Sequence, residues 1–141
     1  MKLGRLNHVG IAVPSIAVAL ETYKSLYGVS DDEITPTREM PEQGVKVAFV
    51  TIPNSQLELI EPLGDASPIH KFLEKNPAGG QHHVCFEVPD IYTARDAMRA
   101  KGAMIMGEPR IGAHGTLILF VHPKNSHGVL IELMETPKGS H

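Results

Sequence analysis

Four side chains in this 141-residue sequence have the types and spacing to hold a cation together: His8, Glu58, His83 and Glu132. His83 sits in "GGQHHVCFEVPDI", where two imidazoles follow two glycines at the head of a strand-like run. His8 opens "HVGIAVPSIAVA", 75 positions earlier. Glu58 in "SQLELIEP" and Glu132 in "GVLIELME" are 74 positions apart. One imidazole and one carboxylate per half, at nearly the same offset, is the pattern of a duplicated site. A buried carboxylate without a partner is costly, and two near each other cost more. A divalent cation removes that cost, because its charge favours ionised glutamate and neutral histidine. Two histidines and two glutamates suit Co, Ni, Zn, Mn or Fe better than Ca or Mg, and the general affinity order does not choose among the first five.

The elements that must position these residues repeat as well. "HVGIAVPSIAVA" and "HVCFEVPDIYTA" share His8/His83, Val9/Val84, Val13/Val88, Pro14/Pro89, Ile16/Ile91 and Ala19/Ala94, and Ser15 and Asp90 both stand where a helix N-cap belongs. A strand over about 6–13 leads into an amphipathic helix carrying Ile16, Leu20, Tyr23 and Tyr27, stopped by Gly28. The second half gives a strand over about 82–88, a helix carrying Ile91, Ala94 and Met98, and a stop at Gly102. Strand-like runs follow each helix: "GVKVAFVTI" and "SQLELIEP", then "TLILFVH" and "GVLIELME". A further helix, "SPIHKFLEKNP", takes Ser67 as cap and Pro68 as its first residue. The whole reads as an α+β pseudo-duplicate.

Strand alternation assigns the faces. Val9, Ile11 and Val13 face the first helix, leaving His8, Gly10 and Ala12 on the other side. Val84, Phe86 and Val88 face the second helix, which puts His83 with Cys85 and Glu87 and leaves His82 at the edge. Leu57 and Leu59 turn Glu58 away from the first helix, and Ile131 and Leu133 do the same for Glu132.

Composition excludes several classes. Thirteen Lys+Arg against 16 Asp+Glu give a net charge of -3, which argues against nucleic acid as partner. The single cysteine, Cys85, excludes an intramolecular disulfide and suits a reducing compartment. No leader pattern opens the chain and no apolar run approaches the roughly 20 residues of a membrane span, so the expectation is a cytoplasmic protein with no membrane partner, or a matrix protein if it is a mature mitochondrial form. "PKGSH" closes the chain, its last four residues, 138–141, forming a polar tail.

These residues resemble the vicinal oxygen chelate superfamily, and within it the methylmalonyl-CoA epimerase family. "LNHVGIAV", "PEQGVKVAFV", "IGAHG" and "HPKNSHGVLIEL" are similar to successive signature stretches of that family, and the likeness covers nearly the whole chain. The resemblance implies a single domain over 1–137 of two paired βαβββ modules, about 4–62 and 80–135, joined by the helix at about 67–77. It implies one divalent metal ion held by His8, His83, Glu132 and Glu58, with Co foremost and Mn, Ni or Zn as alternatives. It implies methylmalonyl-CoA as substrate, epimerised at C2 through a metal-stabilised enolate, and a homodimer. Some relatives carry a glutamate base where this chain has Val47, and a glutamine where it has Glu58. The base then falls to Glu58, with Glu132 serving the opposite face of the carbon.

The anionic ends of such a substrate need cations, and Lys124, Arg110 and Lys71 are the candidates. Gly112, His114 and Gly115 in "IGAHG" would lie near the substrate, the glycines allowing close backbone approach. Two rivals follow from the same superfamily. A glyoxalase I would use a similar ligand set on a thiol hemiacetal; an antibiotic-sequestering module would lack the ligands.

Overall fold

A computed structural model describes residues Met1–Lys138; positions 139–141 of the expected tail lie outside the described residues. The chain divides into two compact units, His8–His82 and Met1–Asn7 with His83 onward. Each is built on the same plan.

In the first, β1 (Leu6–Ala12) leads through Pro14 into α1 (Ile16–Tyr27). The Ser15 hydroxyl accepts from the Val18 N–H at 3.2 Å, and Gly28 ends the helix in the left-handed conformation. The strands β2 (Arg38–Met40), β3 (Val45–Ile52) and β4 (Ser55–Pro62) follow, and β1 pairs with β4 in parallel, giving the order β2-β3-β4-β1. Ile16, Ala48, Val50 and Leu59 are buried on the helix side of this sheet with Val13, and Leu20 and Tyr23 of the helix pack against them. Each large aliphatic side chain so buried contributes roughly 1.5–3 kcal/mol. The unit also holds α2 (Ile69–Lys75). Its N-cap is Pro68 rather than Ser67, although the Ser67 hydroxyl still accepts from the Ile69 N–H at 3.3 Å. The expected cap is thus displaced by one residue while its hydrogen bond survives.

The second unit repeats this. β5 (Gly80–Val88, of which His83 onward belongs here) leads into α3 (Ile91–Ala100), with Asp90 as N-cap accepting from the Thr93 N–H at 2.8 Å. Then come β6 (Ile105–Ile111), β7 (Leu117–Val121) and β8 (Ile131–Glu135), in the order β6-β7-β8-β5 with β8 parallel to β5. Val88, Ile91, Ala94, Leu119, Val121 and Leu133 form its core. The last strand starts at Ile131, later than "GVLIELME" implies, because His127 and Gly128 are both at positive φ and hold the chain in a turn.

Gly79 explains one of the glycines before the paired histidines. It adopts φ +98°, and a Cβ there would stand 2.6 Å from the Ala12 carbonyl oxygen. Only glycine lets the chain pass this close to the end of β1 before β5 begins.

Candidate metal centre

The local register places each ligand. In the first unit, β1 and β4 pair His8 with Gln56, Gly10 with Glu58 and Ala12 with Ile60, so His8 and Glu58 share a sheet face. The small Gly10 and Ala12 leave that face open beside the imidazole. His8 is 1% exposed and Glu58 7%, and the His8 Nε2 lies 3.4 Å from Glu58 Oε1. In the second unit Cys85 pairs with Glu132, which puts His83 and Glu132 on one face of β5 and β8. His83 Nε2 lies 3.0 Å from Glu132 Oε1, and both residues are buried.

Each pair has the spacing of two ligands on one ion. Nitrogen and oxygen ligands about 2 Å from one metal stand roughly 3–3.5 Å from each other, and both His–Glu separations fall in that range. Within each unit the histidine and the glutamate, His8 with Glu58 and His83 with Glu132, form a buried pair of the residue types that hold a metal ion. The chemistry of the set agrees: buried carboxylates and imidazoles without a lysine or arginine among them compensate one another poorly and a divalent cation well.

Aromatic rings flank both pairs, and sequence reasoning did not single them out. Phe49 pairs with Glu58 across β3 and β4, and its ring meets His8 edge-on at 6.0 Å between centroids. Phe120 pairs with Glu132 across β7 and β8, and meets His83 edge-on at 5.8 Å. The alternation in "GVKVAFVTI" could have shown Phe49, since Ala48 and Val50 point to the helix side.

Two further carboxylates were missed. Glu61 accepts from the Ile16 N–H at 2.8 Å, and Glu135 accepts from the Ile91 N–H at 3.0 Å. Each strand that carries a glutamate of the metal group thus also grips the start of its own helix, where unpaired N–H groups and the helix dipole favour a carboxylate. The signal was present as "ELIE" and "ELME".

The other sequence candidates are dispersed. Val47 is 3% exposed on the Glu58 face, an apolar wall where a relative's base would stand. Gly112, His114 and Gly115 lie in the turn between β6 and β7, with the Gly115 N–H donating to the Gly112 carbonyl at 3.0 Å. A Cβ on Gly112 would meet Ile118 Cγ2 at 2.8 Å. Arg110 ends β6 beside that turn, whereas Lys124 is exposed in a 3-10 turn (Pro123–Asn125) at the opposite end of β7. Lys71 is exposed on α2. His82 packs edge-on to Phe72 at 5.2 Å between centroids, Cys85 is fully buried with Ile118 and Met134, and the Glu87 carboxylate accepts from Asn7 at 2.8 Å and Arg5 at 3.2 Å.

Residues 7–120 match the family model of the Glyoxalase/Bleomycin resistance protein/Dioxygenase superfamily. The chain belongs to this superfamily. The α+β class read from the repeat, and the glyoxalase-like fold implied by the resemblance, are therefore those of this chain. The chain is 51% identical over 133 residues to the ethylmalonyl-CoA/methylmalonyl-CoA epimerase of Cereibacter sphaeroides, covering 93% of this chain and 97% of that one. It is also similar to a solved methylmalonyl-CoA epimerase from Streptomyces coelicolor in complex with 2-nitronate-propionyl-CoA, with a TM-score of 0.89, 35% identity and 99% of both chains covered. A methylmalonyl-CoA epimerase solved with methylmalonyl-CoA and NH4+ matches with a TM-score of 0.87 and 35% identity over 97% of each chain.

Proposed function

We propose that this chain is a methylmalonyl-CoA epimerase that interconverts the (R) and (S) thioesters by removing and returning the proton at C2. The observation that carries this reading is the buried His–Glu pair repeated in both halves of a chain 51% identical to an epimerase. His8, Glu58, His83 and Glu132 would hold one divalent ion, cobalt in the first instance. Such an ion, when bound, supplies Lewis-acid polarisation of the substrate's oxygens and so acidifies the C2 proton.

The chain's own residues would do the proton chemistry. Inversion without turning the substrate needs a proton carrier on each side of the carbon. Glu58 and Glu132 come from equivalent strands of the two repeats, so one carboxylate takes the proton and the other returns it. Val47 cannot take part, and its apolar side chain keeps that stretch of the face dry. A carboxylate held tightly as a ligand would be a weaker base, so the glutamate that takes the proton would be the less tightly held of the two. The turn with Gly112, His114 and Gly115 would line the thioester, with Arg110 and Lys124 as cations for the anionic groups. The same reading includes a homodimer in a soluble compartment, checked by light scattering of the purified chain.

Proton NMR of methylmalonyl-CoA in D2O tests the reaction directly. The cobalt-loaded protein should erase the C2 proton signal, and the chelator-stripped protein should not. Retention of the signal by the folded, loaded protein overturns the epimerase reading and directs attention to thiol hemiacetals.

A further inference from the structure

Arg110, one of the cations offered to the substrate's anionic groups, has a setting that says how it would meet them. Its register partner on β7 is Ile118, so it shares a face with Ile118, Phe120 and Glu132. This is the face that carries the unit's metal-group residues. The guanidinium lies over the Phe120 ring, 5.2 Å from the centroid, and one of its N–H groups donates to the Glu108 carbonyl at 3.3 Å. Phe120 in turn meets His83 edge-on. A planar cation stacked on an aromatic face is oriented without being neutralised.

Its nearest carboxylate is already engaged. Glu108 accepts from Arg95 at 3.2 Å and from Arg99 at 3.4 Å, both on the helix side of the strand. Among the described residues no carboxylate lies within ion-pair distance of Arg110. An arginine that is pre-oriented, unpaired and set on the face of a buried acidic group is an anion receptor in search of its anion.

The repeat supplies a counterpart. Arg38 pairs with Val47 on the face of Phe49 and Glu58, just as Arg110 pairs with Ile118 on the face of Phe120 and Glu132. Arg38 Nη2 contacts the Met40 sulfur at 3.8 Å. Both arginines stand on the strand farthest from the histidine strand in their own four-stranded order.

We infer that Arg110, with Arg38 as its repeat counterpart, binds anionic oxygens of the acyl-CoA substrate through a bidentate guanidinium contact. The inference rests on the epimerase reading and names how that site recognises its substrate. The oxygens belong either to the acyl carboxylate or to the phosphates of the CoA moiety, and one experiment separates these sources.

The experiment compares wild type, Arg110→Met, Arg110→Lys and Arg38→Met, all cobalt-loaded and matched for metal content. C2 exchange is measured on methylmalonyl-CoA and on the methylmalonyl thioester of N-acetylcysteamine, which lacks phosphate. Arg110→Met should raise KM for methylmalonyl-CoA about 10- to 100-fold, the loss of one charge-assisted contact, with metal content unchanged. Arg110→Lys should recover part of the loss, because charge survives and the planar fork does not. The exposed control Lys101→Met should match wild type. A penalty on both thioesters assigns the acyl carboxylate, and a penalty on the CoA thioester alone assigns the phosphates. Arg110→Met and Arg38→Met both within twofold of wild type on both thioesters overturns the inference while leaving the epimerase reading intact. Calorimetric titration with methylmalonyl-CoA separates the remaining cases. Wild type that binds but does not exchange overturns the reaction, and the variants' affinities then decide the arginines; wild type that does not bind overturns both.

Discussion

On the proposed reading each glutamate of the metal group would answer to two demands, as a ligand and as a proton carrier, and substitution separates them. Glu58→Gln and Glu132→Gln keep the shape and a ligand oxygen but remove the base. Each is expected to slow C2 exchange in D2O by about 10²–10⁴-fold, the range of a lost general acid–base group. The two should also differ by substrate face: exchange from one epimer falls more with one variant, and from the other epimer with the other. Loss confined to one variant, and equal for both epimers, would mean that one glutamate carries protons and its counterpart serves only as a ligand. His8→Ala and His83→Ala should instead lower metal content, read by elemental analysis after dialysis, because they remove the neutral nitrogen ligand outright.

At the level of elements, the repeated device is a carboxylate from the closing strand gripping the first turn of the helix. Glu61 and Ile16, and Glu135 and Ile91, are joined this way at 2.8 and 3.0 Å. Glu61→Ala should cost about 1.5–3 kcal/mol, since a hydrogen bond to a charged group is lost, measured by urea unfolding. Glu61 lies three positions after Glu58 on the same strand, so the same variant should loosen metal binding in that half. The Asp90 cap behaves differently with pH. The hydrogen bonds it accepts from Thr93 hold its carboxyl below the ordinary 3.8. Its contribution is therefore full above that ordinary value and is lost as pH falls through the lower folded value. Asp90→Asn keeps a cap without a titrating group, so its melting temperature should fall less steeply than wild type's below about pH 4. Gly79→Ala sets a Cβ against the Ala12 carbonyl at positive φ, and should destabilise by at least about 1–3 kcal/mol.

For the molecule as a whole, the proposed metal would link ion binding to stability. An ion that binds only the folded chain stabilises it by mass action, about 2.7 kcal/mol at a hundredfold excess over Kd. For a chain of this size that is a shift of roughly 5–10 °C in melting temperature. Chelation should lower Tm by that amount and Co(II) should restore it, with Ca(II) ineffective at equal concentration. Differential scanning calorimetry checks this without any substrate, so the metal group is tested apart from the reaction.

Sequence alone determined the duplication, the helices with the caps Ser15 and Asp90, and the phase of four strands. Those are local properties: side chains alternate along a strand, caps act within one turn, and a repeat doubles every local signal. His8, Glu58, His83 and Glu132 followed because each lies in a strand whose apolar partners fix its face. Two strands were out of reach by the same logic. β2 has three residues, too few to show a period, and β6 carries Gly107 and Pro109, which speak against a strand. Arg38 therefore went unnoticed and Arg110 had no face assigned. Tertiary structure alone decided which residues oppose one another across strands: Phe49 against Glu58, Phe120 against Glu132, and Arg110 upon Phe120. Strand order and register are set by the packing of segments far apart in the chain, and no local pattern encodes which side chain a neighbouring strand will present.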